Sequence, residues 1–299
     1  MWLTRSRRNP QSVECIRLVY SSCSGLFGFW ILISVTSATP DFDGKVAVVT
    51  GAGSAIGAAI AADFLRSGAR VAGAGRHRPL PDLAADIEAA GDRWLWVRAD
   101  VRREADVRRL VRTALNRFGN LDILINNAAV RGPTDPVTKL KRQDWDDVLK
   151  TNLTGPFLCA RECLRHMMRR RSGKIINISS MAGRMAYPLR AAYCASKWGL
   201  IGLTLTLAQE AGSSNVRVNA ICPGPVEGPA MESVIVRRAR ALRISVEKVR
   251  QLYVKPTALG RMVGASEVSG AVLFLCSEAA RSVTGQVIEV SAGFGLAPV

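Results

Sequence analysis

Residues 46–65 read Val-Ala-Val-Val-Thr-Gly-Ala-Gly-Ser-Ala-Ile-Gly-Ala-Ala-Ile-Ala-Ala-Asp-Phe-Leu: an apolar run, a turn with three glycines, then an alanine-rich helical stretch. A strand covered on both faces shows no polar alternation, because neither side meets water. A glycine-rich turn lets backbone N–H groups close on a pyrophosphate, which the N-terminus of the following helix attracts. Gly51, Ser54, Ala55, Ile56 and Gly57 are the expected cradle. Glycines also make ordinary tight turns; the place of this cluster, after a first strand and before a helix, is what gives it meaning.

Outward from this stretch, short β-branched runs alternate with longer helical segments, the pattern of a parallel sheet covered on both faces. Strands are expected at 46–50, 69–72, 94–97, 121–125, 174–178, 216–220 and 286–290. Right-handed crossovers then give an α/β fold: a single Rossmann-type, doubly wound, parallel seven-stranded sheet with helices on both faces. No Pro/Gly-rich linker and no repeat divides residues 41–299, so they read as one domain. With 48% apolar residues in a chain of 299, a disordered or low-complexity chain is excluded.

Residues 1–40 stand apart. Arg5, Arg7, Arg8 and Arg17 precede an apolar stretch from Gly25 to Val35 that is closed by Ser37, Ala38, Thr39 and Pro40. Basic, apolar, then small is how an export signal reads, and Arg7-Arg8 hints at twin-arginine export. The apolar stretch is too short to span a bilayer, which takes ~20 residues. The competing readings are a disordered extension and a start codon set too far upstream; membrane association is expected only if this segment belongs to the protein.

A net charge of +17 invites anionic partners. The basic residues are dispersed over several segments and no nucleic-acid reading motif is present, so nucleic acid is not an expected partner. Seven scattered cysteines without a C-x-x-C pair read as reduced thiols, with no metal site. The two histidines, His77 and His166, leave little room for His-based triad or metal chemistry. Proton transfer must use another group.

Two further sites supply chemistry. After the second strand, where NAD would call for a carboxylate on the ribose 2′-hydroxyl, the chain has Gly75-Arg76-His77-Arg78. Arg76 can pair with a 2′-phosphate through a forked, charge-assisted bond, which favours NADP(H), with NAD(H) possible. The alternative is a solvated basic turn. Tyr193-Cys-Ala-Ser-Lys197 heads a long helical segment and puts a phenol and an ammonium on one helix face. A phenol whose reference pKa is ~10 needs such a cation to exchange a proton near neutrality.

With these motifs in view, residues 43–295 resemble the short-chain dehydrogenase/reductase family, nearest its bacterial ketoreductase and sugar or alcohol dehydrogenase branch. The matching positions run in the family's order: the glycine turn, Asp100-Val101, Asn126-Asn127-Ala128-Ala129, Asn152, Ser180, Tyr193/Lys197 and Pro223-Gly224. The resemblance implies a carbonyl–alcohol oxidoreductase with a catalytic tetrad. Tyr193 exchanges the proton with the substrate oxygen, and Lys197 assists it and bonds the nicotinamide ribose. Ser180 donates to the developing oxyanion, and Asn152 holds a water linking Lys197 to solvent. Asp100 and Val101 serve the adenine, Asn127 and Ala128 the adenosine ribose, and Pro223, Gly224 and Val226 the nicotinamide. A stretch from 229 to 256 is implied as a lid over the substrate; its many arginines and lysines suit an acidic substrate or an acyl group on an acidic carrier, or simply face water. A cytoplasmic homotetramer or homodimer acting on a small carbonyl or alcohol is the implied setting. The narrower alternative is a 3-oxoacyl-thioester reductase. A non-catalytic dinucleotide-binding regulator would be expected to lack one of Ser180, Tyr193 or Lys197, and all are present.

Three positions depart from the family pattern. Ala55 replaces the middle glycine of the turn, Gly228 a threonine that bonds the carboxamide, and Ser291 an aspartate after the last strand.

Overall fold

In the computed structural model, residues 46–50 form an interior strand of the sheet, the third of seven. The structure describes residues 15–22, 25–32, 41–77 and 84–296, the first two ranges as backbone only. Residues Met1–Asp41 and Phe42–Val299 form separate units. In the first, β1 (Cys15–Ser22) and β2 (Gly25–Leu32) pair antiparallel. Arg5, Arg7, Arg8 and residues 33–40, on which the signal-like reading rests, lie outside the described residues.

The second unit holds β3 (Val46–Thr50), β4 (Arg70–Gly75), β5 (Trp94–Arg98), β6 (Ile123–Asn126), β7 (Gly173–Ile178), β8 (Val216–Pro223) and β9 (Val287–Val290). They form one parallel sheet in the order β5-β4-β3-β6-β7-β8-β9. All seven expected strands are present. β3 is fully buried, and its side chains alternate between two cores. Val46 and Val48 pack with α3 (Glu104–Phe118), α5 (Gly155–Arg170) and the distal half of α6 (Ala191–Gly212). Ala47 and Val49 pack with α1 (Ala55–Arg66) and α9 (Ala265–Cys276). Each fully buried valine contributes roughly 1.5–3 kcal/mol, so neither face of this strand can turn to water.

The remaining helices are α2 (Ala84–Ala90), α4 (Arg142–Leu149), α7 (Pro229–Leu242) and α8 (Val246–Val254). α3 shows how the sequence sets a helix. Val107, Leu110, Val111, Ala114 and Phe118 recur at helical spacing on the buried face, and Gly119, at φ 75°, ends it. α7 and α8 cover a third core with Met181, Cys222 and Phe294. A forked ion pair from Arg250 to Glu232, 2.8 and 2.7 Å, joins the two helices.

The order of the strands decides where a ligand goes. The chain winds from β3 outward to β5 and then returns to β6 on the other side of β3. At that reversal the loops leaving β3 and β6 diverge and open a crevice beyond the strand ends. Among the described residues, no helix is long and apolar enough to cross a membrane.

Candidate active site

The crevice begins at the glycine turn. Gly51 holds φ 67°, and a Cβ there would lie 2.8 Å from Ala128 Cα. A Cβ on Gly57 would stand 2.2 Å from the Gly51 carbonyl oxygen. Both positions therefore require glycine. Ser54 caps α1: its Oγ accepts from Gly57 N at 3.3 Å and donates to Gly51 O at 2.9 Å. The Asn127 amide donates to Thr50 O and Gly51 O, both at 3.0 Å, and to Ser54 Oγ at 3.2 Å. Thr50 Oγ1 in turn accepts from the backbone N–H groups of Asn127 and Ala128 and donates to Ile125 O. The ends of β3 and β6 are thereby stitched into one rigid rim.

A cleft of about 320 Å³ lies along this rim, lined among others by Gly51, Ser54, Ala55, Ile56, Arg76, Asp100, Val101, Asn127, Ala128, Tyr193 and Val226. Gly57 sits behind that wall. The backbone N–H groups at the start of α1 suit a pyrophosphate, and Ala55 takes its place there without closing the cleft. At the far end, Arg102 clasps Asp100 with a forked pair at 2.7–3.0 Å and also reaches Asp147 at 3.2 Å. The Arg102 guanidinium holds the Asp100 carboxyl below its usual range, with a further contribution from Arg76. Arg76 is exposed on the cleft wall; Arg78 lies outside the described residues.

Tyr193, Arg131 and Val226 line both this cleft and a second, smaller chamber of about 110 Å³. Ser180, Pro223 and Gly224 line the chamber with Met181, Tyr187 and Arg190. Gly224 passes so close to β9's exit that a Cβ would lie 2.8 Å from Ser291 Cα. Ser180 Oγ accepts from Ala182 N at 3.1 Å, which leaves its hydroxyl proton available to the chamber. Lys197 is almost wholly buried, and its ammonium donates to Ile178 O at 2.7 Å and sits 5.7 Å from the Tyr193 ring centroid. Burial lowers it from 10.5 to about 8, with nearby Arg131 acting in the same direction. Asn152 is buried, with both amide hydrogens engaged by Val130 O and Ser196 Oγ and its Oδ1 accepting from Val130 N. Ser196 Oγ donates to Tyr193 O, so Asn152 ties the segment after β6 to the helical turn that carries the tyrosine.

The sequence profile of the short chain dehydrogenases matches residues 45–239. The chain belongs to the short-chain dehydrogenase family. Over 253 residues it is 36% identical to a cis-4-hydroxycyclohexanecarboxylate dehydrogenase of Sinomonas cyclohexanicum, spanning 85% of this chain and 97% of that one. Over 251 residues it is 34% identical to a 3-oxoacyl-[acyl-carrier-protein] reductase of Staphylococcus epidermidis, spanning 83% of this chain and 98% of that one. A crystal structure of an NAD+-bound xylitol dehydrogenase superposes with a TM-score of 0.80 at 32% identity, covering 84% of this chain and 99% of that one. The protein is thus an NAD(P)-dependent oxidoreductase of the carbonyl–alcohol couple.

Three residues of this dehydrogenase's site escaped the sequence reading. Thr50 reads as the end of the first strand and the start of the glycine turn, and its stitching of the rim has no spacing signature. Arg102, two residues beyond Asp100, occupies that carboxylate. Arg190, the non-helical residue just before α6, lines the chamber three residues ahead of Tyr193, and its backbone angles, not a helical spacing, place it there. At Gly228, where the family pattern has threonine, φ is 127°, a conformation that side chains with a Cβ rarely adopt. The glycine therefore has a backbone reason, and a threonine contact is not part of this site.

Proposed function

We propose that this dehydrogenase prefers NADP(H) and uses Tyr193 as the acid/base in interconverting a carbonyl and a secondary alcohol. One observation carries the reading: Tyr193 stands where the dinucleotide cleft meets the chamber, with the Lys197 ammonium 5.7 Å from its ring centroid. The bound dinucleotide supplies or accepts the hydride. In reduction, Tyr193 gives its proton to the carbonyl oxygen, and Ser180 donates a hydrogen bond to the same oxygen as charge develops. The Lys197 ammonium stabilises the phenolate left behind. Asn152 holds the turn of α6 that carries the tyrosine. Arg76, exposed on the cleft wall and paired with no carboxylate among the described residues, supports recognition of a 2′-phosphate.

Exposed Phe157, Trp198 and Leu205 on α5 and α6 support a homodimer or homotetramer, and the cofactor chemistry supports a cytoplasmic setting. The 3-oxoacyl-thioester reading draws on the Staphylococcus relative and on the basic face of α7 and α8; an assay panel of ketones, ketoacyl thioesters and sugars separates it.

The test is NADPH oxidation by wild type and Tyr193→Phe. The variant should lose roughly 10²- to 10⁴-fold in kcat while still binding NADPH by fluorescence; wild-type turnover would remove the tyrosine from the mechanism. Arg76→Asp should lower the NADPH:NADH ratio of kcat/KM by about 10- to 100-fold. An unchanged ratio would return the cofactor preference to NAD(H).

A further inference from the structure

Arg190 presents a physical problem that the chain leaves open. It is 5% exposed, yet among the described residues no carboxylate lies within ion-pair distance of its guanidinium. Nη1 reaches Gly132 O at 3.4 Å, Pro133 O at 3.5 Å and Thr134 Oγ1 at 3.2 Å, all long contacts. Nε is buried with no acceptor. Burying an ion without a counter-charge costs several kcal/mol. Arg102, Arg250 and Arg261 each hold a carboxylate in a forked pair, and the likewise buried Arg217 gives both its Nη atoms to carbonyls, Val283 O at 3.1 Å and Ser277 O at 3.2 Å. Leu189, immediately before Arg190, holds φ 69°, an unfavourable value for leucine, so the backbone that presents this cation is itself strained.

The surroundings point the same way. Arg190 sits 5.7 Å from the Tyr193 ring centroid, the same separation as Lys197. Arg131 lines the same chamber, and among the described residues no acidic side chain does. Arg238, from α7, stacks on Tyr187 and Tyr253 at 5.0 and 5.7 Å, behind the two rings that form part of the chamber wall. The rest of the wall combines the hydroxyl-bearing Ser180, Tyr187, Tyr193 and Tyr253 with apolar Met181, Met231, Val234 and Phe294. The chamber, about 110 Å³, shares Arg131, Tyr193 and Val226 with the dinucleotide cleft and leaves room for a compact body only.

We infer that the substrate is a compact carbonyl or hydroxy compound bearing a carboxylate, and that Arg190 is the specificity residue that binds the carboxylate while Tyr193 meets the carbonyl. The inference rests on the proposed function for the place of the reacting oxygen. The carboxylate supplies the missing counter-charge, and the guanidinium matches it in a planar, directional way. A long acyl chain lacks such a group at this depth. A purely structural clip from Arg190 to the 132–134 loop would give no preference between charged and neutral substrates.

The experiment uses the full chain with NADPH and a set of cyclohexanones that carry a carboxylate, a carboxamide or a methyl group at one ring carbon. Alongside it, calorimetry on the NADP+-loaded protein compares cyclohexanecarboxylate with cyclohexanecarboxamide. Wild type should favour the carboxylate over the carboxamide by about 10- to 100-fold in kcat/KM, the range of one hydrogen bond to a charged group. Arg190→Gln should bring the ratio near one, chiefly through KM of the charged ketone, and should abolish heat from cyclohexanecarboxylate. Arg190→Lys should keep part of the preference, and decides the matter with wild type if the glutamine variant does not fold. Equal wild-type use of charged and neutral ketones, or a preference that survives in Arg190→Gln, overturns the inference. If no ketone is reduced at all, the proposed function fails, and the calorimetric comparison still decides whether Arg190 binds a carboxylate.

Discussion

At the glycine turn, the polar side chains of the wall meet partners from the chain itself, whereas the chamber beside Tyr193 holds cations that have no counter-charge among the described residues. Asn127, Ser54 and Thr50 are mutually bonded across the ends of β3 and β6. Lys197 has one carbonyl and Arg190 a few long contacts. The first region is a finished scaffold whose shape exists before any ligand. The second carries an electrostatic cost that folding alone does not offset, the arrangement expected where stability gives way to chemistry.

This contrast can be broken most sharply at Lys197. Lys197→Met should lower kcat for ketone reduction by about 100-fold or more. It should leave the melting temperature of the cofactor-free protein unchanged or higher, since a buried ammonium is removed. A fall in both activity and melting temperature would mean that the lysine serves the fold. Next in size is the opposite case. Asn127→Ala leaves Thr50 O, Gly51 O and Ser54 Oγ without this donor, at a cost of about 2–3 kcal/mol. Thermal denaturation should therefore drop by roughly 5–10 °C for a domain of this size. An unchanged melting temperature would show that the rim does not depend on the amide.

The smallest expected effect is a pH dependence. With Lys197 lowered to about 8, the ammonium is lost above that value, and kcat/KM for ketone reduction should decline by about tenfold per pH unit beyond it. Lys197→Arg, which stays charged, should move the decline upward. The stability sign follows from the same shift. Between about 8 and 10.5 the unfolded lysine binds more protons than the folded one, so the cofactor-free protein gains stability as pH rises. The gain is at most about 1.4 kcal/mol per pH unit. It should vanish in Lys197→Met, measured by denaturant unfolding at pH 8 and 10.

The strands were legible because burial on both faces forces uninterrupted β-branched runs, and Val46–Val49 could be little else. Their ends were less so. The expected strand at 69–72 extends to Gly75 as β4, because Gly73 and Gly75 look like turn residues yet lie in the sheet. A Cβ on Gly73 would stand 2.3 Å from the Trp94 ring on the neighbouring strand, so this glycine makes room for a tryptophan far along the chain. The same limit explains Arg190. The sequence places an arginine three residues before Tyr193, but that its guanidinium lacks a carboxylate is a property of distant segments, visible only once they are packed. Asp100 and Asn127 were legible as cleft residues, whereas their bonds to Arg102 and Thr50 depend on the register of the loops.

The forked pair between Arg250 and Glu232 has a mechanical meaning. α7 and α8 are clamped at a point away from the linker between them, so a push on either carries both. The segment is bounded by Gly228 before α7 and Gly260 after α8, both at positive φ, where the backbone turns in ways that other residues rarely adopt. The seam beneath the clamp, where Ile235 of α7 and Val249 of α8 are fully buried, keeps the helices together; the half-exposed pair adds direction to that seam more than strength.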